Sequence, residues 1–375
     1  MEKIGLLLTG GGARVAYQAG VLRAIAEVCE FKKNPFNVVS GVSGGAINGA
    51  WISSQNSDFV ESTQLLWDGW ARITHDQIYN TDLSSFLKIG IHWLRDLSLK
   101  GEHEHSHFRS LLDSAPLKQF IETKLNFGNL KKKISAGHLH GIAVTTTNYN
   151  TGASVVFYDG DPAIAPWDKE WRQTRRVHLT AGHILASTAI PIFFPPVELD
   201  DGFHGDGGLK MSSPLSPLIH MGAEKILAIG IHHKEAADST KNIAIKKITM
   251  GDVAGTMLNT LFFHPIEMDV ERFNRINRTI SLLTKEQLER GPDKLRHIPL
   301  LTIQPSVDLG SLGIEFFNRF PPSLRFFLRG IGASEIRSRD MMSYLAFEEC
   351  YVRALLELGY KDGLTRETEI RNFFE

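Results

Sequence analysis

Cysteine is scarce in this chain: Cys29 and Cys350 are the only two in 375 residues. Two cysteines make no disulfide framework at this size, which fits a reducing compartment. A charge excess of one sign is also missing. There are 41 Lys and Arg against 42 Asp and Glu, for a net charge of −1. No global field therefore draws the chain to nucleic acid or an anionic membrane, and any such contact needs a local patch. Long apolar runs are lacking too. No uninterrupted stretch approaches the roughly 18 residues expected of a spanning helix. Ile4–Leu8, directly after Met1-Glu2-Lys3, is too short for the core of a cleaved signal peptide and reads as a first buried strand. These absences predict cytoplasmic residence, no nucleic-acid partner, and at most peripheral contact with a membrane.

What is present is ordinary in bulk and specific in detail. Hydrophobic residues make up 42% and charged residues 22%, as in soluble globular proteins. The length suits one large α/β domain with an extension. A strand at Ile4–Leu8 leads through Thr9–Gly12 into a helix over Ala13–Cys29, with Val15, Ala19 and Leu22 on its apolar stripe. A second strand at Phe36–Ser40 precedes a helix that runs to about Ser53. This β-α-β-α order predicts a mostly parallel central sheet flanked by helices. Residues 58–135 read as a helical insertion beside the site. Strands are expected at His140–Val144, Ser154–Tyr158 and Lys225–Ile231, a short helix at Leu179–Thr188, and an irregular loop at Ile190–Pro196, where proline bars a helix. The division is a catalytic core over residues 1–235 and a mainly helical region over 236–375, with its clearest helix at Met341–Leu358.

The chemistry gathers at three glycine-rich turns. Gly41-Val42-Ser43-Gly44-Gly45 is G-x-S-x-G between a strand and a helix. A serine there has its hydroxyl beside unpaired helix N–H groups and the positive dipole end, which suit a forming oxyanion. A plain glycine turn is the alternative. The run Gly10-Gly11-Gly12-Ala13-Arg14 lacks the Gly-Lys-Ser/Thr of a phosphate loop, and Val15 stands where a dinucleotide fingerprint needs Gly or Ala. It reads as an oxyanion hole built from backbone N–H groups, with Arg14 bracing it or meeting an anionic head group. Asp206-Gly207-Gly208, 163 residues after Ser43, offers a carboxylate on a turn. A free aspartate, with a pKa of about 4, is a weak base, so it needs burial or coupling to the oxyanion.

The histidines are rivals. His204 lies two residues before the aspartate and His183 in the preceding helix, so a Ser-His-Asp triad stays open. His103, His105 and His107 alternate as strand-borne metal ligands would, but in a polar loop, and His232-His233 also reads as solvated; neither a metal nor a cofactor is expected. Phe316–Arg329 mixes aromatics with arginines and reads as core packing or as a surface that dips into lipid.

Those three turns, with Ala186-Ser187-Thr188-Ala189-Ile190-Pro191, Phe194-Pro195-Pro196, Asn48-Gly49 and Gly222-Ala223, resemble the signature set of the patatin-like phospholipases over about residues 4–232. The resemblance implies a patatin-like α/β fold, Ser43 as nucleophile and Asp206 as base in a dyad without histidine, and oxyanion donors at Gly10–Gly12. It implies metal-independent hydrolysis of phospholipid or other acyl-ester lipids. A small-ester esterase with a triad, or a lipid-binding protein without turnover, are the alternatives.

Overall fold

The computed structural model describes residues 2–80, 110–233, 253, 256, 264–290, 295–330 and 339–375. His103, His105 and His107 lie outside the described residues. Nine strands form one sheet: β1 (Ile4–Leu8), β2 (Val38–Val42), β3 (Gly141–Asn148), β4 (Ser154–Gly160), β5 (Arg172–Arg176), β6 (Val197–Leu199), β7 (Gly202–Asp206), β8 (Lys225–Ile229) and β9 (Leu300–Ile303). The main order is β5-β4-β3-β2-β1-β8-β9. Neighbours from β3 to β9 run parallel, while β4 and β7 join β3 antiparallel. The chain leaves β1 toward β2 on one side and returns as β8 on the other. The C-terminal end of β1 is therefore a switch point, where an open parallel sheet leaves a crevice.

Alternation explains why the strands are apolar throughout. Leu6 and Leu8 of β1, Val39 of β2 and Leu227 and Ile229 of β8 enter one core. Leu7, Val38, Ile226 and Ala228 enter the core on the opposite face. Both faces are covered, so these central strands are apolar on both sides. The first face is covered by α1 (Ala16–Cys29), α2 (Gly44–Ser54), α3 (Phe59–Ala71) and the helix Glu349–Thr365. Helices α1 and Glu349–Thr365 cross closely. A Cβ on Gly20 would lie 2.1 Å from the Leu356 carbonyl oxygen, and one on Gly359 2.1 Å from that of Tyr17.

Two features differ from the sequence reading. The region after residue 235 also supplies β9, which extends the sheet beyond β8. The helix expected over Met341–Leu358 is two helices, Arg339–Leu345 and Glu349–Thr365. At the break, the Tyr79 hydroxyl donates to the Leu345 carbonyl in place of a helical N–H, and Glu348 pairs with buried His75. The apolar pattern continues through the interruption, so periodicity alone does not reveal it. Of the aromatic–basic stretch, Phe317, Phe320, Leu324, Phe327 and Leu328 are buried, and among its large apolar side chains only Phe326 is well exposed. Core packing accounts for most of it. Among the described residues no helix is long and apolar enough to cross a membrane.

Candidate active site

Strand register brings two of the glycine turns together. On one edge of β3, Val42 of β2 pairs with Thr145. Next along, Asp206 of β7 pairs with Thr146. Since β4 occupies the other edge of β3, β7 continues the line of β2. Ser43, one residue past Val42, thereby meets the end of β7, and residues 163 apart in sequence become neighbours.

Ser43 sits at the turn between β2 and α2 with φ 53° and ψ −133°. A positive φ is strained for a residue with a Cβ, and such strain collects at functional sites. The turn is held by a relay: Ser43 N–H donates to Ser187 Oγ at 2.9 Å, and Ser187 Oγ donates to the Thr145 carbonyl at 2.7 Å. The Ser43 N–H is thus already committed, and oxyanion donors must come from elsewhere. Gly45 lets α2 start against β1, because a Cβ there would lie 2.3 Å from the Leu8 carbonyl oxygen. The sheet-side glycine Gly41 and Gly44, first residue of α2, are likewise buried in this turn.

Asp206 is fully buried. Its Oδ1 accepts from Gly208 N–H at 2.8 Å across the Asp206-Gly207-Gly208 turn. Its Oδ2 completes no hydrogen bond of ordinary geometry. Burial raises the carboxyl pKa to about 7, against the adjacent Ser43 hydroxyl and the Gly208 N–H, which lower it. A carboxyl with a pKa near 7 is half ionised at neutral pH and is a far better base than a free aspartate.

The first glycine turn follows β1. Gly10 and Gly11 N–H donate to no other backbone group among the described residues, as an anion site requires. Gly12 has φ +56°, and a Cβ on it would lie 2.1 Å from the Tyr344 carbonyl oxygen. Of the two roles expected for Arg14, its contacts fit the bracing one. Its N–H donates to the Gly11 carbonyl. Its guanidinium, 1% exposed, bonds Ser343 Oγ and Asp340 Oδ1, each at 2.7 Å. Neither group faces a head group or an oxyanion; Arg14 braces the loop.

Gly12, Ser43 and Gly44 line a narrow, tightly packed cavity of about 20 Å³. Its other walls are Ile47, Trp70, Ile78, Leu117, Thr188, Ile190, Phe194 and Phe347. Its walls are apolar, as an acyl chain needs, but the open space is about that of one water, so a chain enters only if the walls move apart. Of the loop Ile190–Pro196, Ile190 and Phe194 line the cavity. Phe193 is buried in the core, while Ile192 is 48% exposed with φ 70°. Beneath the cavity, Trp70 Nε1 donates to Asn48 Oδ1 at 2.7 Å, and Asn48 Nδ2 donates to the Val15 carbonyl and to Gln18. Gln18 in turn donates to the Thr9 carbonyl at 2.8 Å. This network fixes α1, α2 and α3 against the end of β1. Trp70 and Phe347 carry no motif, and only the fold reveals them.

The rival histidines are occupied. His204 Nδ1 meets Thr146 Oγ1 at 2.9 Å, and its Nε2 meets Asp201 Oδ1 at 2.8 Å. His183 Nδ1 binds the Thr180 N–H and hydroxyl at the start of its helix. His232 lies 3.7 Å from Glu267, and His233 Nδ1 faces the Pro305 carbonyl at 2.9 Å.

A family model described as Patatin-like phospholipase matches residues 6–219. No match was found among curated proteins. Among solved structures, the chain is similar to human GIVD cytosolic phospholipase A2, at 12% identity and TM-score 0.48, covering 100% of this chain and 60% of that one. The same human protein in complex with methyl gamma-linolenyl fluorophosphonate and terbium chloride gives 14% identity and TM-score 0.45, covering 100% and 59%. VipD from Legionella pneumophila gives 12% and 0.33, covering 98% and 67%. The chain thus spans about 59% of the length of the human structure matched first.

Proposed function

The chain belongs to the patatin-like phospholipase family, and from that membership we propose that it hydrolyses lipid acyl esters through Ser43, with Asp206 as general base. The observation that carries the reading is the fully buried Asp206 carboxyl at the end of β7, which the register of β2 and β7 along β3 sets next to Ser43. Asp206 takes the Ser43 proton as Oγ attacks the acyl carbonyl carbon. The carbonyl oxygen becomes the oxyanion, held by N–H groups of Gly10–Gly12 and the start of α2. The intermediate collapses; the C–O bond to the alcohol breaks, and the alcohol leaves with the proton from Asp206. Water then attacks the acyl-enzyme, giving its proton to Asp206; the C–Oγ bond breaks, the proton returns from Asp206 to Ser43 Oγ, and the fatty acid leaves.

The apolar cavity supports a lipid acyl chain as substrate, and the occupied histidines support a dyad over a triad. Phospholipid is the substrate class the family suggests. Ile192, an exposed apolar side chain on the loop that walls the cavity, fits peripheral contact with a lipid surface. The test is hydrolysis of a fluorogenic medium-chain ester and of labelled phosphatidylcholine, with EDTA, by wild type and Ser43→Ala. Ser43-dependent turnover of both is expected. Turnover of the soluble ester alone points to an esterase, and none by a folded wild type overturns the reading.

A further inference from the structure

We propose that Asp340, on the helix Arg339–Leu345, is a positioning residue for the oxyanion loop, acting through Arg14. This rests on the reading of Ser43 and Gly10–Gly12 given above. Asp340 lies 326 residues from Arg14 and far outside the family match over residues 6–219. Its Oδ1 meets Arg14 Nη2 at 2.7 Å, where the guanidinium is 2% and the carboxylate 21% exposed. Ser343 Oγ accepts from Arg14 Nε and donates to the Asp340 carbonyl, both at 2.7 Å. The guanidinium also stacks 4.6 Å from the Tyr344 ring centre. Arg14 is gripped by three residues within one turn and a half of one helix.

The grip acts on the loop. Arg14 stands two residues after Gly12, and its own N–H holds the Gly11 carbonyl. Gly12 lines the cavity with Ser43 and also lies against the Tyr344 carbonyl, with no room for a Cβ. The loop is therefore pressed between the cavity and the helix that carries Asp340. Aligned backbone donors stabilise an oxyanion only when fixed in place, so the ion pair sets their position. The neighbouring carboxylate, Asp308, caps the helix Leu309–Phe316 and pairs with Arg339 at 3.1 Å, which leaves Asp340 as the direct partner at 2.7 Å.

The test compares wild type, Ser43→Ala, Asp340→Asn and Ser343→Ala in the full chain, with kcat and KM on a fluorogenic ester, the rate of covalent labelling by a fluorophosphonate, and Tm. Asp340→Asn is expected to lower kcat and the labelling rate about 10- to 100-fold, with KM nearly unchanged. Asp340→Glu, which keeps the carboxylate, is expected to recover part of the loss. Ser343→Ala loses one bond and keeps the charge pair, so a several-fold kcat loss is expected; it decides the matter if Asp340→Asn does not fold. Folded variants that keep wild-type kcat and labelling, or that change KM alone, overturn the inference while leaving Ser43 chemistry standing. Absence of Ser43-dependent turnover in wild type overturns that chemistry and this inference together.

Discussion

The family-matched part of the chain and the region after residue 263 serve one cavity in different ways. The first carries the proposed reactive groups on turns at strand ends, where a strained Ser43 and a buried Asp206 meet through the register of β2 and β7 along β3. The second supplies neither of them. It contributes walls and braces: Phe347 in the cavity, Asp340 and Ser343 on Arg14, and a helix seated on α1 through Gly20 and Gly359. Chemistry can be local to a few short turns, while the geometry that makes it work is distributed over the whole chain.

Substitutions in the two regions are expected to separate accordingly. The largest effect belongs to the first region. Ser43→Ala and Asp206→Ala should each cut turnover by about a thousandfold or more, with circular dichroism unchanged; a loss that accompanies unfolding counts against the assignment. Asp206→Asn should also raise stability. The folded carboxyl, at about 7, binds its proton more tightly than an unfolded one near 4. Its contribution therefore favours folding at low pH and is lost as pH rises from about 4 through 7. The Tm advantage of Asp206→Asn should be present at pH 8 and shrink toward pH 4. An advantage independent of pH contradicts the raised pKa.

Smaller effects come from the second region. Gly359→Val should cost about 1–3 kcal/mol by forcing apart α1 and Glu349–Thr365, read as a lower Tm with kcat preserved in the folded fraction. Phe347→Ala should widen the cavity and shift preference toward bulkier acyl chains by several-fold in kcat/KM; an unchanged chain-length profile places the acyl chain elsewhere. The smallest change is expected for His183→Ala, whose ring caps its own helix, with kcat within about twofold of wild type for a residue outside the chemistry.

Much of this was legible in the sequence, for physical reasons. Ile4–Leu8 and the glycine turn after it are short local patterns, and β1 spans Ile4–Leu8 as expected. Glycine turns announce themselves because backbone geometry and close approach demand glycine. The mostly parallel sheet with flanking helices follows from strand–helix alternation. β5, whose sequence Arg-Gln-Thr-Arg-Arg is mostly polar, and the short β9 carry little strand signal. The break between Leu345 and Glu349 depends on Tyr79 and His75, more than 260 residues away. Arg14 was readable as a charged residue beside a glycine loop, but its partners on a distant helix were not. Contacts of that separation leave no local periodicity to find.

The central claim is that Asp206, and not a histidine, is the base for Ser43. The most direct test is the pH dependence of kcat/KM on a fluorogenic ester for wild type and for His183→Ala and His204→Gln. The account predicts a single rise to a plateau with a midpoint near 7, the value set by burial of Asp206, and the same midpoint in both histidine variants. A profile flat across that range, or a midpoint that vanishes with either histidine, contradicts it.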